Sequence, residues 1–215
     1  SLFANGVTQS KSEDIAKKIP QETKEQYEKR MSWWINDRFG MFIHFGLYAA
    51  PARNEWMKKL EKLSNEEYEK YFANFNPDLF DAKELSRSAK KAGMKYCVLT
   101  SKQHEGFCLC DSKYTDYKIT NTAFKRDLAK EFVDAFRAEG LKVGFYYSLI
   151  DWHHPDFTLD RLHPLWDKVK EEEFNKGRDI ARYRKYMLNQ DTEVLTNHGK
   201  IDLVWIDYSH PGPDG

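Results

Sequence analysis

Four short apolar stretches, separated by helical patterns that stop at glycine, constrain this chain more than any other feature of it. The stretches are "FGMFIHFG" (39–46), "MKYCVLTS" (94–101), "LKVGFYYS" (141–148) and "IDLVWIDY" (201–208). Each has strand composition and each runs out into polar or ring-bearing residues. Between them lie "FDAKELSRSAKKAG" (80–93), "FKRDLAKEFVDAFRAEG" (124–140) and a longer segment over 165–198, all with helical patterning. Gly93 and Gly140 stand where helix C-termini favour glycine. A helix therefore precedes each later strand, which predicts parallel strands joined by right-handed crossovers, in a barrel or a doubly wound sheet. A polar, helix-prone leader occupies 13–34, so the domains read as a leader over 1–32 and a barrel portion over 33–215.

The placement of unusual residues separates the two architectures. A dinucleotide fold carries a glycine-rich loop after its first strand, and no GxGxxG occurs here. A βα barrel gathers chemistry at the C-terminal ends of several strands. His44 ends the first strand, His104 follows the second, Tyr146, Tyr147 and Trp152 end or follow the third, and Asp207 ends the fourth. Singly, each has a plain structural role: a satisfied core histidine, packing tyrosines, an aspartate capping a turn. Together, four strands delivering His, His, Tyr and Asp to one rim are what a polar pocket requires and core packing does not. Two histidines and an aspartate could ligate zinc, but no HxH or HExxH spacing supports it, so no metal and no cofactor is expected. His153 and His154 of "DWHHPDF" sit in a proline-containing loop and read as surface.

Composition narrows the partners. The 34 basic and 34 acidic side chains cancel, so neither nucleic acid nor an anionic membrane is implied. No apolar run approaches the roughly 20 residues that span a bilayer. Aromatics make up 15% of the residues, a load that suits both a large core and the faces of sugar rings. Three cysteines, Cys97, Cys108 and Cys110, form an odd set without metal-ligand spacing, which predicts reduced thiols and a cytoplasmic setting. The first residue is not Met, so a removed leader would be invisible in this reading.

Four ordered blocks also carry a resemblance: "RFGMFIHFGLYAAPARNEWM", "FNPDLFDAKELSRSAKKAGMKYCVLTSKQHEGFCLCDSKYTDY", "GLKVGFYYSLIDW" and "IDLVWIDY". They look like successive motifs of the retaining α-L-fucosidases of glycoside hydrolase family 29, from about 33 to about 211. The resemblance implies a (β/α)8 barrel, of which about the first four βα units are present here, and release of terminal L-fucose from glycoconjugates. It implies that Asp207 is the nucleophile, forming a covalent glycosyl-enzyme that water resolves with retention. It implies that His44, Glu55, Trp56, Gln103, His104, Tyr147 and Trp205 bind the sugar, with His104 the leading member of its loop. Which of Tyr146 and Tyr147 points inward is left open by counting. The family commonly reads Lys-His-His-Asp-Gly-Phe where this chain has "KQHEGF"; Gln103 can exchange hydrogen bonds with a hydroxyl but cannot be protonated.

Further expectations follow from what is not found. A full barrel takes about 250 residues, and four strands occupy most of this chain. The family's acid/base carboxylate, on a later loop, has no counterpart, and Glu55 is at best a substitute. An open half-barrel would expose strand edges and an apolar face. Self-association, a complementing C-terminal half or a longer parent chain would each cover them, and a homo-oligomer is the expectation, with weak or absent activity because further copies do not supply the missing carboxylate. The alternative function is a catalytically silent fucose-binding or assembly module derived from a fucosidase.

Overall fold

The computed structural model describes residues 22–208 of the 215. The early part of the leader, 1–21, and the segment 209–215 lie outside the described residues. The chain divides after Arg38. Among the described residues before that point lies one helix, α1 (Lys24–Asn36), whose start is set by its capping residues. The Thr23 hydroxyl accepts from the Gln26 N–H, and the Gln26 side chain accepts from the Thr23 N–H, a reciprocal capping box.

From Phe39 onward the chain builds one parallel sheet. Its strands are β1 (Gly40–Ile43), β2 (Tyr96–Lys102), β3 (Lys142–Ser148) and β4 (Leu203–Asp207), in the consecutive order β1-β2-β3-β4. All three pairings are parallel. This is the arrangement expected of successive βα units, and it excludes a dinucleotide fold, whose strand order reverses at a switch point. The intervening helices are α2 (Met57–Leu60), α3 (Asn65–Ala73), α4 (Ala82–Lys91), α5 (Leu128–Ala138), α6 (Glu171–Asn175) and α7 (Ile180–Thr196). Three aspartates open the long ones: Asp81, Asp127 and Asp179 accept from the backbone of Glu84, Lys130 and Ala181. At the other end, Gly93 and Gly140 adopt φ of 86° and 72°, the left-handed conformation that terminates α4 and α5.

Helix burial follows from sequence periodicity. Leu128, Phe132 and Phe136 form one face of α5 and are fully buried in the main core. That core also holds Leu99 of β2 and Val143 and Phe145 of β3. Phe132 stands 4.7 Å from Phe136 and 6.2 Å from Phe145, centroid to centroid. Each such ring contributes roughly 1.5–3 kcal/mol by leaving water. Side chains alternate across the sheet, so Phe145 and Tyr147 face the helices while Tyr146 faces the other way. A β-carbon on Gly144 would lie 2.8 Å from the Leu203 carbonyl, so glycine is required for β3 to approach β4 this closely.

The ends of β2 and β3 are tied by a buried ion pair. Lys102 is 0% exposed, its Nζ 3.3 Å from Asp151 Oδ2 and 4.5 Å above the Tyr147 ring. Asp151 in turn accepts from the backbone N–H groups of His153 and His154 at 3.0 and 2.9 Å. These two histidines, expected on the surface, are half-buried; His153 stacks flat on Tyr117 at 3.8 Å. Lys102→Ala leaves the Asp151 charge buried without its cation and is expected to lose about 3–5 kcal/mol of stability. Urea unfolding of the two proteins measures this; an unchanged midpoint would contradict it.

Candidate active site

Chemistry gathers at the C-terminal ends of the strands, starting with a clamp. The Thr100 hydroxyl donates to the Phe45 carbonyl at 2.8 Å and accepts from the Phe45 N–H at 3.0 Å. This fixes the turn that carries His44 against β2. The His44 ring is exposed, lies stacked 4.8 Å from Phe42, and has its Nδ1 3.3 Å from the Gln103 amide. The Gln103 amide also meets the Tyr146 hydroxyl at 2.7 Å. Tyr146 reaches Asp207 Oδ2 at 2.5 Å, and the other carboxylate oxygen accepts from the Tyr208 N–H at 2.9 Å. Four strand ends thus form one connected chain, His44–Gln103–Tyr146–Asp207.

Rings flank this chain. Trp205, two residues before Asp207 and on the same strand face, is 46% exposed and meets Phe42 edge-on at 5.7 Å. Trp56 lies 4.5 Å from His104 and 5.8 Å from Tyr208. Together they give a carboxylate held at both oxygens beside apolar faces and exchangeable hydrogen-bonding groups, a combination suited to a polyhydroxylated ring.

Several expected positions differ in their surroundings. Tyr147 is not part of this cluster. Its ring is fully buried on the helix side, and its hydroxyl donates to Gln190 Oε1 of α7 at 2.8 Å. Of the adjacent tyrosines it is Tyr146 that reaches Asp207, because alternation along β3 sends neighbours to opposite faces. A register argument would have found it: Tyr146 pairs with Trp205, and Ser148 with Asp207. His104 is present but buried, packed between Trp56 and Trp152, with Nε2 donating to the Glu55 carbonyl at 3.0 Å. It is therefore the backbone of Glu55 that His104 meets. Glu105 turns away into the interior near Gly46, where a β-carbon would stand 3.0 Å from its Oε1.

Electrostatics follow burial. Loss of hydration pushes His104 down to about 3, so it is a neutral imidazole. Partial burial also lowers His44, opposed by the nearby charges of Glu55 and Asp207. Burial raises Tyr146, and the contact with Asp207 adds to that, so the tyrosine keeps its proton. Glu105, fully buried with neither oxygen partnered among the described residues, is pushed up to about 8. Lys58, also buried, is pushed down to about 8 and donates to Asn65 Oδ1 at 2.8 Å. The cysteines are free and buried, with the Cys108 and Cys110 sulfurs 3.0 Å apart. Among the described residues no group of three or more His, Cys, Asp or Glu side chains is arranged to hold a metal ion, and no helix is long and apolar enough to cross a membrane.

A raised carboxyl has a signed consequence. Between the unfolded value near 4.3 and the folded value of about 8, the native state holds a proton the unfolded chain has lost. The contribution of Glu105 is therefore fully present below the lower value and is lost as pH rises through the window, at up to about 1.4 kcal/mol per pH unit. Glu105→Gln is expected to flatten the fall in stability between pH 5.5 and 7.5. Urea unfolding at the two pH values compares the slopes, and a mutant slope equal to that of the unmodified chain would contradict the assignment.

The family model described as Alpha-L-fucosidase matches residues 6–213. The plasma alpha-L-fucosidase of Homo sapiens is 30% identical over 186 residues, covering 78% of this chain and 39% of that protein. The alpha-L-fucosidase of Dictyostelium discoideum is 32% identical over 198 residues, covering 81% and 41%. Among solved structures, alpha-L-fucosidase isoenzyme 1 from Paenibacillus thiaminolyticus is 56% identical with a TM-score of 0.82, covering 86% of this chain and 44% of that one. The AlfC enzyme from Lactobacillus casei, solved in complex with alpha-L-fucose product, is 31% identical with a TM-score of 0.74, covering 83% and 60%. The chain thus spans 39–41% of the length of these two curated relatives.

Proposed function

Because the chain belongs to the alpha-L-fucosidase family, we propose that it supplies the nucleophile-bearing part of a retaining, exo-acting fucosidase barrel whose substrate is a terminal L-fucose on a glycoconjugate. The observation that carries this reading is the Asp207 carboxylate at the end of β4, held by Tyr146 and the Tyr208 N–H beside Trp205. In the first step an Asp207 oxygen bonds to the anomeric carbon as the bond to the leaving oxygen breaks, and that oxygen takes a proton from an acid. In the second, water attacks the same carbon, gives up a proton to the conjugate base, and frees Asp207 with net retention. His44 and Glu55 hold hydroxyls, with Gln103 behind His44, while Trp56 and Trp205 cover the apolar face and the methyl group.

A retaining pair needs a second carboxyl about 5–5.5 Å from the nucleophile. We assign it to a complementing barrel segment, which also covers the inner face that the described residues leave open. Support for such a partner comes from Phe42 and Trp205 on the inner face, exposed at 40% and 46% and 5.7 Å apart edge-on, and from Val204 and Ile206, which alternation sends to the other face of the same edge strand. Apolar side chains exposed on both faces of an edge strand are more than the scattered single residues of an ordinary surface. A second copy of the chain is the competing occupant. Sedimentation over a range of concentrations separates them: a monomer that gains mass only with the complementing segment supports the first, and a dimer of the chain alone supports the second.

Labelling tests the nucleophile. A fluorinated fucosyl donor with a good leaving group needs little help from an acid in the first step. Peptide mapping is expected to find the fucosyl mass on Asp207, and Asp207→Asn to abolish it. Hydrolysis of an aryl α-L-fucoside by the complemented protein is expected to fall by about three orders of magnitude or more in the same mutant. A label on another residue, or turnover that survives the mutation, would overturn the assignment. Fucose binding without labelling or turnover would favour a silent binding module.

A further inference from the structure

Tyr146 has one hydroxyl proton, yet its oxygen lies 2.7 Å from the Gln103 side chain and 2.5 Å from Asp207 Oδ2. An ionised carboxylate only accepts, and 2.5 Å falls within the range of a hydroxyl donating to a charged oxygen. The proton is therefore committed to Asp207. The end of Gln103 facing Tyr146 then cannot be its carbonyl, since two oxygens at this distance with no proton between them repel. It must be the NH2 group, the reverse of the drawn orientation in which Oε1 faces Tyr146 and Nε2 faces His44; the near-identical shape of the two amide ends permits the turn-over.

The consequence passes to the next member. With NH2 turned to Tyr146, the Gln103 carbonyl occupies the 3.3 Å contact to His44 Nδ1 and needs a donor there. Nδ1 must carry the imidazole proton. Nε2, which has no protein partner among the described residues, is left with a bare lone pair on an exposed ring. The same turn sets the NH2 opposite the His104 N–H at 3.2 Å, a donor-to-donor approach in place of a long hydrogen bond, and at a greater distance than the 2.7 Å oxygen–oxygen contact it relieves. The opposite orientation would require Asp207 to hold a proton of its own, and a protonated carboxyl is not a nucleophile.

We infer that Gln103 is a positioning residue that hands the charge of Asp207 through Tyr146 to His44, locking His44 in the Nδ1–H tautomer. The group that Nε2 meets in a bound sugar must then be a free hydroxyl that donates. An ether or an O-alkylated position there finds a lone pair opposite a lone pair and is rejected. This rests on reading Asp207 as an ionised nucleophile.

Nitrogen-15 NMR of the histidine-labelled chain at pH 7.5 reads the tautomer directly, without substrate, with the His44 resonances identified by their loss in His44→Asn. The expected spectrum shows a protonated Nδ1 and an unprotonated Nε2. Gln103→Met, and separately Tyr146→Phe, are expected to abolish the preference and give a mixture. An Nε2–H tautomer in the unmodified chain would overturn the inference even if both variants fail to fold. So would a preference that survives Gln103→Met. Failure of fucosyl labelling at Asp207 with the Nδ1–H tautomer intact would instead fault the proposed function and leave the hand-off standing.

Discussion

A single buried ammonium organises the rim at the C-terminal ends of the strands. Lys102 is the last residue of β2 and is wholly enclosed, so its charge must find partners in the interior. It finds Asp151 beyond the end of β3, the ring of Tyr147, and at 3.5 Å the hydroxyl of Tyr183 on α7. Drawing the Lys102 side chain to the helix side leaves its neighbour Gln103 free to project toward His44 and Tyr146. The same pair fastens the loop after β3, because Asp151 also caps the His153 and His154 N–H groups. The Trp152 N–H, between them in sequence, donates to the His104 carbonyl at 2.8 Å. Sheet, loop and site are thus coupled through one charge.

Around that frame, burial decides which groups can ionise. His104 has the chemistry of a proton carrier, but enclosure between two indoles keeps it neutral and makes it a wall that orients the Glu55 backbone. Glu105 and Lys58, a carboxyl and an amine in the same dry region, are both driven toward their uncharged forms. Asp207 has a different setting: it lies at a partly open strand end, where Tyr146 and the Tyr208 N–H reach its two carboxyl oxygens.

Much of this was legible in the sequence. The four strands, the glycine stops and the gathering of His44 and Asp207 at one end follow from composition and alternation, because parallel strands in consecutive order must share a direction. The orientation of the two tyrosines was not legible by counting. The irregularity between Thr100 and Lys102 shifts the β2–β3 register, so Tyr146 pairs with Thr100 while Tyr147 pairs with Lys102. The burial of His104 was equally hidden, since Trp56 and Trp152 arrive from different loops far apart in sequence. Gln103 could be named as a departure from the family's motif. Its role depends on a proton count across three strands, which no linear pattern carries.

The consecutive strand order has a consequence for how the chain is made. Among the described strands each of β2, β3 and β4 pairs with the one synthesised just before it, so each meets a template already in place as it emerges from a ribosome. The aspartate is the last of the four members of the hydrogen-bonded chain to be translated. Until β4 arrives, the hydrogen-bonded chain from His44 through Gln103 to Tyr146 lacks its last member, and the Tyr146 hydroxyl waits for its partner.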